Sequence, residues 1–118
     1  METPGPADSF RILTWIGIIE QLQRTRAERL LKGAGLSYPE FAMLRHISHG
    51  HPPEKTVTGI AAAMQQLQPA VTKTVAKLVA KGLVTATPSA VDGRSKALRL
   101  SDEGRAAFAR GVAALEPF

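Results

Sequence analysis

The apolar residues near the start of the chain cover most of the girth of a helix instead of one face. The run from Phe10 to Leu22 leaves only a narrow polar strip, and it predicts a helix from about Asp8 or Ser9 to Lys32. A helix on the surface of a monomer needs a single apolar stripe, so a second copy of the chain is expected to cover the other side. We therefore expect residues 1–7 to be a disordered head and residues 8–35 a dimerisation helix. The expected interface residues are Phe10, Leu13, Ile16 and Ile19.

Shorter amphipathic segments follow this first helix. Ser37 and Glu40 have the spacing of a capping box, which satisfies backbone N–H groups at a helix start. The helix that they open carries an apolar face formed by Phe41, Leu44 and Ile47. Residues 48–55 are rich in histidine, proline and glycine, and they are predicted to form a loop.

Two helices separated by a tight turn are predicted next. Thr58 is expected to cap a short helix over residues 59–65. A further helix is predicted to begin near Gln68 and to run to Lys81, because Gly82 is a good residue for ending a helix. This pair has the pattern of a helix-turn-helix.

The periodicity then changes from helical to alternating. Residues 83–88 and 97–100 are predicted strands, and Asp92-Gly93 between them is a common turn signal. Ser101 is expected to cap a last helix over residues 102–115. The fold class is therefore mainly α with a small β-hairpin wing. It corresponds to a winged helix-turn-helix over residues 36–100, flanked by N- and C-terminal dimerisation helices.

The second helix of the pair has two chemically different faces. Val71, Val75, Leu78 and Val79 form the apolar one, while the opposite face contains no acid. That outer face consists of Gln68, Pro69, Thr72, Lys73, Ala76 and Lys77. Short polar and cationic side chains can enter a major groove without repelling phosphates. An ordinary amphipathic surface helix is the alternative, but glutamate is a favoured surface residue in such helices.

The net charge of +5 is concentrated around this segment. Residues 55–100 hold seven basic residues and a single acid, Asp92, whereas the rest of the chain has nine acids and eight basic residues. A basic block inside an otherwise balanced chain indicates a polyanion-binding face, with a solubilising surface as the alternative.

Other function classes find little support in the composition. The chain has no cysteine, which excludes disulfides and thiolate metal sites. His46, His49 and His51 lie close together, yet solvated histidines are a better explanation than a metal site, because the surrounding sequence offers few other ligands. No catalytic motif or cofactor-binding motif stands out, so we expect neither an enzyme nor a bound cofactor. The start of the chain does not resemble a signal peptide, and its apolar stretch is too short to cross a membrane; the expected location is the cytoplasm.

Five short motifs occur in order along about seventy residues. They are LSYPEFAMLR at residues 36–45, Ile60-Ala61, the run from Val71 to Val84, the segment from Asp92 to Lys96, and the segment from Leu100 to Gly104. In this order and spacing they resemble the core of the MarR (multiple antibiotic resistance regulator) family. Members are winged helix-turn-helix transcriptional regulators.

The resemblance implies a homodimer that binds a pseudo-palindromic operator in double-stranded DNA. It also implies a repressor that releases DNA when a small ligand, often phenolic, binds. Arg94 at the wing tip would enter the minor groove, and Asp92 would orient it, although Asp92 is also a plain turn residue. The candidate DNA-binding residues are Gln68, Pro69, Thr72, Lys73, Lys77, Arg94 and Lys96.

The sequence departs from the family pattern at several positions. Ala86 stands where an arginine is common, and Gly93 replaces the commoner arginine of the wing. Gln66 occupies the usual small apolar position of the turn, so we expect Leu67 to plug the core instead. Residues 101–118 are expected to be the start of a C-terminal dimerisation helix, without the family's last helix.

Two further hypotheses remain open. Trp15, Tyr38 and Phe41 are candidates to line a pocket for a small aromatic effector, while packing in the core or in the dimer interface is the favoured alternative. A winged-helix protein–protein adaptor without specific DNA binding is the competing function. That function would predict an apolar outer face on the second helix, and Thr72, Lys73 and Lys77 argue against it.

Overall fold

The computed structural model describes residues 5–49, 55–88 and 96–117. Within these ranges the chain forms helices and one small antiparallel sheet, which confirms the predicted winged-helix fold class. The helices are α1 (Pro6–Lys32), α2 (Tyr38–Ser48), α3 (Val57–Met64), α4 (Gln68–Ala80) and α5 (Asp102–Leu115). The strands are β1 (Lys55–Thr56), β2 (Val84–Pro88) and β3 (Lys96–Leu100).

The predicted capping box at the start of α2 is confirmed. The Ser37 hydroxyl accepts a hydrogen bond from the Glu40 backbone N–H at 3.2 Å, and the Glu40 carboxylate accepts one from the Ser37 N–H at 2.9 Å. The second oxygen of Glu40 lies 2.7 Å from the ammonium of Lys81, just after α4. One carboxylate therefore caps α2 and also links it to the end of α4.

This arrangement keeps Glu40 charged although it is buried. Burial of its side chain raises the pKa of Glu40, but hydrogen bonds from Lys81 and from Ser37 lower it by more, so the net pKa lies below the ordinary value. Lys81 also donates to the Gly35 carbonyl at 3.4 Å. The Lys81 ammonium is thus paired within the protein, although the charge count over residues 55–100 included it in the predicted polyanion-binding segment.

The start of α3 differs from the prediction. Thr56, not Thr58, is the N-cap, because its hydroxyl accepts from the Gly59 N–H at 3.1 Å. The helix begins at Val57 and ends at Met64. Residues 48–55 were predicted as a loop, but Ser48 belongs to α2 and Lys55 opens β1. Strand β1 has only two residues, so it is too short to show an alternating pattern in the sequence.

The turn between α3 and α4 also differs from the prediction in one respect. Gln65 adopts the left-handed conformation with φ of 54°, which ends α3. Leu67 was expected to plug the core, but its side chain is 79% exposed. The core below the turn is already filled by residues of α3 and α4, which include Ile60, Ala61 and Val71.

The sheet has the strand order β1-β3-β2 and is antiparallel throughout. In the β2–β3 hairpin, Val84 is the register partner of Leu100 and Pro88 of Lys96. Val84 and Leu98 are buried in the core, together with residues of α2, α3, α4 and α5. The hairpin therefore has one face packed inside, as the alternating pattern predicts.

The start of α5 packs directly against the start of β2. Ser101 caps α5, as predicted, and its hydroxyl also donates to the Gly82 carbonyl at 2.6 Å. The Ser101 N–H donates to the Leu83 carbonyl at 3.0 Å. A Cβ placed on Gly104 would lie 1.9 Å from that same Leu83 oxygen. Only glycine permits this close approach of helix and strand.

Helix α1 starts earlier than predicted and projects from the rest of the chain. It begins at Pro6, where the missing N–H costs nothing, so the expected disordered head does not extend to residue 7. Its buried residues are Ala27 and Leu31 alone. The radius of gyration is 17.3 Å, whereas a compact chain of this length would have one of about 13–14 Å. The long axis of 53 Å agrees with a projecting helix.

Candidate nucleic-acid interface

The outer face of α4 is open to solvent along its whole length. Gln68, Pro69, Thr72, Lys73, Ala76 and Lys77 are all exposed. The opposite face is anchored, since Val71, Val75 and Leu78 are buried. Val79 was grouped with them from the sequence, but it is 43% exposed and lies at the edge of the buried face. The buried valines and leucine fix the rotation of α4 about its axis.

The beginning of α4 is tied to α3 by a side-chain contact. The Gln68 amide nitrogen lies 3.4 Å from the Thr58 hydroxyl. Thr58, which does not cap α3, therefore helps to hold Gln68 at the start of the outer face. We refer to Gln68, Pro69, Thr72, Lys73, Ala76 and Lys77 as the reading face.

Chemically, the reading face is cationic and rich in hydrogen-bonding groups. It offers the two lysine ammonium groups, one amide and one hydroxyl, and it contains no carboxylate. The Thr74 hydroxyl, by contrast, donates back to the Ala70 carbonyl at 3.2 Å and is taken up within the helix. Such a face suits a polyanion whose surface also presents hydrogen-bond donors and acceptors.

Strands β2 and β3 of the hairpin have exposed residues at the ends that residues 89–95 connect. Lys96 is exposed at the start of β3, where it is the register partner of Pro88 at the end of β2. The predicted wing residues Asp92 and Arg94 lie outside the described residues. Residues 89–95, which contain both, join Pro88 to Lys96.

The predicted effector residues are separated by the structure. Tyr38 and Phe41 line a cavity of about 240 Å³ between α1, α2 and α5, together with Ala27, Arg45 and Leu115 among others. Trp15 does not line this cavity and is 60% exposed. Phe41 also stacks on Phe108 with 5.3 Å between ring centroids, so it contributes to packing as well.

A second depression was not anticipated from the sequence. It has a volume of about 700 Å³ and runs along the last turns of α1, over the start of α2. Arg24, Arg29, Lys32 and Lys81 contribute cations to its wall, while Glu28 and Glu40 contribute acids. Its walls come from three separate segments of the chain. A sequence pattern describes one segment at a time, so it could not predict this depression.

The histidines of the described region do not converge on a metal site. Within residues 5–49, 55–88 and 96–117 there is no group of three side chains suited to hold a metal ion. The His49 ring meets the Phe108 ring edge-on at 5.6 Å. His51 lies outside the described residues. Desolvation by burial, followed by the charges of Arg45 and Lys55, holds the pKa of His46 below its ordinary value.

The comparison with protein families is decisive for the identity of this fold. The model of the MarR family matches residues 34–95, which is more than half of the chain. The chain belongs to the MarR family. The matched range begins just before the capping box of α2 and includes the reading face and the segment that contains Asp92 and Arg94. The chain is thus a winged-helix regulator of that family.

Solved structures agree with the family assignment. MarR from E. coli in its apo form is 18% identical with a TM-score of 0.80, and the match covers 98% of this chain and 79% of that one. The transcriptional regulator BldR from Sulfolobus solfataricus is 23% identical with a TM-score of 0.84, covering 98% and 81%. The regulator MosR from M. tuberculosis, in complex with DNA, is 26% identical with a TM-score of 0.74, covering 90% and 74%. A comparison with curated proteins finds no significant match.

These matches extend across α1 and α5 as well as the winged-helix core. Coverage of 98% means that the projecting α1 has a counterpart in both MarR and BldR. Among the described residues of this MarR-family chain, no helix combines the length and the apolarity that crossing a membrane requires.

Proposed function

We propose that this MarR-family regulator binds double-stranded DNA in a sequence-specific manner through the reading face of α4. The observation that carries the proposal is the exposure of that face, which has lysine, amide and hydroxyl groups and no acid. The buried side of α4 cannot turn outward without opening the core, so a partner of this helix would meet the reading face, which carries its exposed polar and cationic groups.

Several structural relatives were solved with DNA, and they support this proposal. MosR was crystallised in complex with DNA, and a mutant of E. coli MarR in complex with operator DNA. A mutant of MepR from S. aureus was bound to an oligodeoxyribonucleotide. In the present chain, Lys73, Lys77 and Lys96 would contact phosphates, while Gln68, Pro69 and Thr72 would meet base edges.

The second part of the proposal is a homodimer on a pseudo-palindromic operator. Every residue from Asp8 to Arg26 of α1 is exposed in the single chain, including Phe10, Leu13, Ile16 and Ile19. A helix with so many exposed large apolar side chains needs a partner surface. Two copies joined through α1 and α5 would present two reading faces to half-sites about one helical turn apart.

We further propose that the dimer represses transcription and responds to a small aromatic effector. The cavity lined by Tyr38 and Phe41 has walls from α1, α2 and α5, so occupancy would act on the junction between dimer helices and winged helix. A phenolic compound is therefore expected to displace a bound duplex in an anisotropy titration. Duplex binding that no phenolic compound alters would count against an effector of this class.

Lys73→Ala tests the assignment of the reading face. Removing an ammonium group that contacts a phosphate should weaken binding to every duplex alike. The slope of log binding constant against log salt concentration should become less negative by about one unit for each Lys73 that contacts a phosphate. Fluorescence anisotropy with labelled duplexes, repeated at several salt concentrations, measures both quantities.

Lys32→Ala is the matched control for this experiment. Lys32 is also exposed, but it lies in the last turn of α1 instead of on the reading face. It should leave the salt slope as in the wild type. Equal salt slopes for the wild type and Lys73→Ala would show that Lys73 does not contact a phosphate.

Arg94→Ala tests the wing. An arginine inserted into a narrow minor groove meets a concentrated negative potential, so its loss should cost about 1–3 kcal/mol of binding free energy. The preference for A·T-rich flanks should relax at the same time. The measurement is a competition between duplexes that differ only in their flanks at fixed salt. Unchanged affinity and unchanged preference would show that Arg94 does not contact the groove.

A further inference from the structure

The most exposed large apolar side chain among the described residues is Leu67. It is 79% exposed, more than any of the apolar residues on α1. A lone exposed leucine is common on protein surfaces. What distinguishes this one is its place in the turn between α3 and α4, immediately before Gln68.

Leu67 also occupies a position where leucine does not help the helix. It is the N-cap of α4, and its side chain forms no capping hydrogen bond. Serine, threonine, aspartate and asparagine stabilise this position by accepting a backbone N–H, which leucine cannot do. Its backbone carbonyl does accept from Ala70 and Val71, at 3.1 and 3.2 Å. The free protein therefore gains neither capping nor burial from this side chain.

The neighbours of Leu67 indicate which partner would cover it. The reading face begins at the next residue, Gln68, and continues with Pro69 and Thr72, all of them exposed. Val79, the exposed large apolar residue within α4, lies near the opposite end of the helix. The exposed apolar residues of the proposed dimer contact lie on α1, a separate element. Leu67 is thus an exposed large apolar side chain at the leading end of a polar, cationic face.

A duplex that receives the start of α4 would bring base edges to Leu67. Residues at the beginning of a recognition helix are the ones that reach base edges in the major groove. Of the groups that the four base pairs present there, the apolar one is the C5-methyl of thymine. A leucine side chain exposed at this point matches that methyl group, while it offers nothing to a phosphate or to a polar base edge.

We propose that Leu67 contacts the C5-methyl of a thymine in each half-site and so determines a base preference there. This inference rests on the proposed DNA-binding function and deepens it. The leucine side chain loses its exposure to water in the complex, and the methyl group does the same. The preference should favour thymine over cytosine and over deoxyuridine, which pairs as thymine does but lacks the methyl group.

The test uses the full chain and a duplex selected from random DNA by the wild type. Each thymine of the selected half-site is replaced in turn by deoxyuridine, and affinity is measured at fixed salt. We expect one position at which the loss is about fourfold per half-site, the value for removing one buried methyl-sized group. In Leu67→Ser, the same replacement should change the affinity by less than about 1.5-fold, since the hydroxymethyl side chain does not reach the methyl.

A stability measurement separates this effect from a folding defect. Serine at the N-cap should raise the unfolding midpoint of Leu67→Ser by a few degrees, about 2–5 °C, while affinity for the selected duplex falls. Val79→Ser, which alters an exposed apolar residue near the opposite end of α4, is the matched control. It should retain the wild-type sensitivity to deoxyuridine.

The outcomes separate the two proposals. If the wild type selects and binds a duplex, but Leu67→Ser is as sensitive to deoxyuridine as the wild type, the thymine contact is refuted while the DNA-binding function stands. The same conclusion follows if no thymine position is sensitive in the wild type. If the wild type selects no duplex at all, the proposed function fails and this inference fails with it.

Discussion

Replacing Gly104 with alanine is expected to destabilise the fold by about 3 kcal/mol or more, and to lower the unfolding midpoint by about 10 °C or more. The added Cβ would lie 1.9 Å from the Leu83 carbonyl oxygen and 2.9 Å from its carbon, both of them backbone atoms. Helix α5 would have to retreat from β2. That movement would stretch the hydrogen bonds from Ser101 to the Gly82 and Leu83 carbonyls.

Gly17→Ala provides the matched control, because the chemical change is identical. Gly17 lies inside α1, and a Cβ there has no neighbouring atom within 4 Å. Alanine is favoured over glycine in a helix interior, so this variant should gain up to about 1 kcal/mol. Thermal unfolding followed by circular dichroism measures both variants. Similar midpoints for Gly104→Ala and the wild type would contradict the close packing of α5 on β2.

Ile16→Glu is expected to convert the proposed dimer to monomers. Ile16 is 57% exposed in the single chain and lies in the middle of the apolar run of α1. In a dimer the change would remove an apolar contact from each copy and bury two carboxylates without partners. A penalty of about 3–5 kcal/mol per dimer corresponds to a dissociation constant raised by roughly two to nearly four orders of magnitude. Sedimentation velocity at micromolar concentration measures the change.

Gln21→Glu is the control on the same helix. It also introduces a carboxylate, but on the polar strip that the sequence pattern places away from the apolar residues. It should sediment as the wild type does. If Ile16→Glu also sediments as a wild-type dimer, the contact lies elsewhere than on the apolar run of α1. A monomeric wild type would refute the dimer itself.

Features that depend on neighbouring residues could be predicted from the sequence. The Ser37–Glu40 capping box, the Ser101 cap and the end of α4 before Gly82 all agree with the structure, because each depends on bonds within one turn of chain. The exposed reading face follows from the helical period in the same way. These features were enough to predict the winged-helix fold class.

Features that depend on contacts between distant segments could not be predicted. Strand β1 exists because Lys55 and Thr56 pair with Leu98 and Ala97, which lie about forty residues later in the chain. Likewise, Lys81 forms an ion pair with Glu40, so a count of charges along residues 55–100 overstated the positive charge that this segment offers to a polyanion. Leu67 was predicted to enter the core because it is hydrophobic. The sequence alone does not show that residues of α3 and α4 already occupy the core below the turn.

The candidate sites also differ in whether they lie on one element or are assembled from several. The reading face needs only one helix, and the exposure of each of its residues could be predicted from the helical period. The pocket residues come from different helices, and the sequence could not tell that Tyr38 and Phe41 share a cavity that Trp15 does not line. Where a site is assembled from several elements, the fold must be known before its members can be named.

Contact between the reading face of α4 and double-stranded DNA can be measured directly. The most direct measurement is an NMR titration of the labelled chain with a selected duplex at low ionic strength, following every backbone amide. We expect the largest shift changes between Gln68 and Lys77, and little change for amides in the projecting part of α1. Unperturbed amides along α4, with changes confined to other elements or with no change at all, would contradict this contact and favour a protein-binding role.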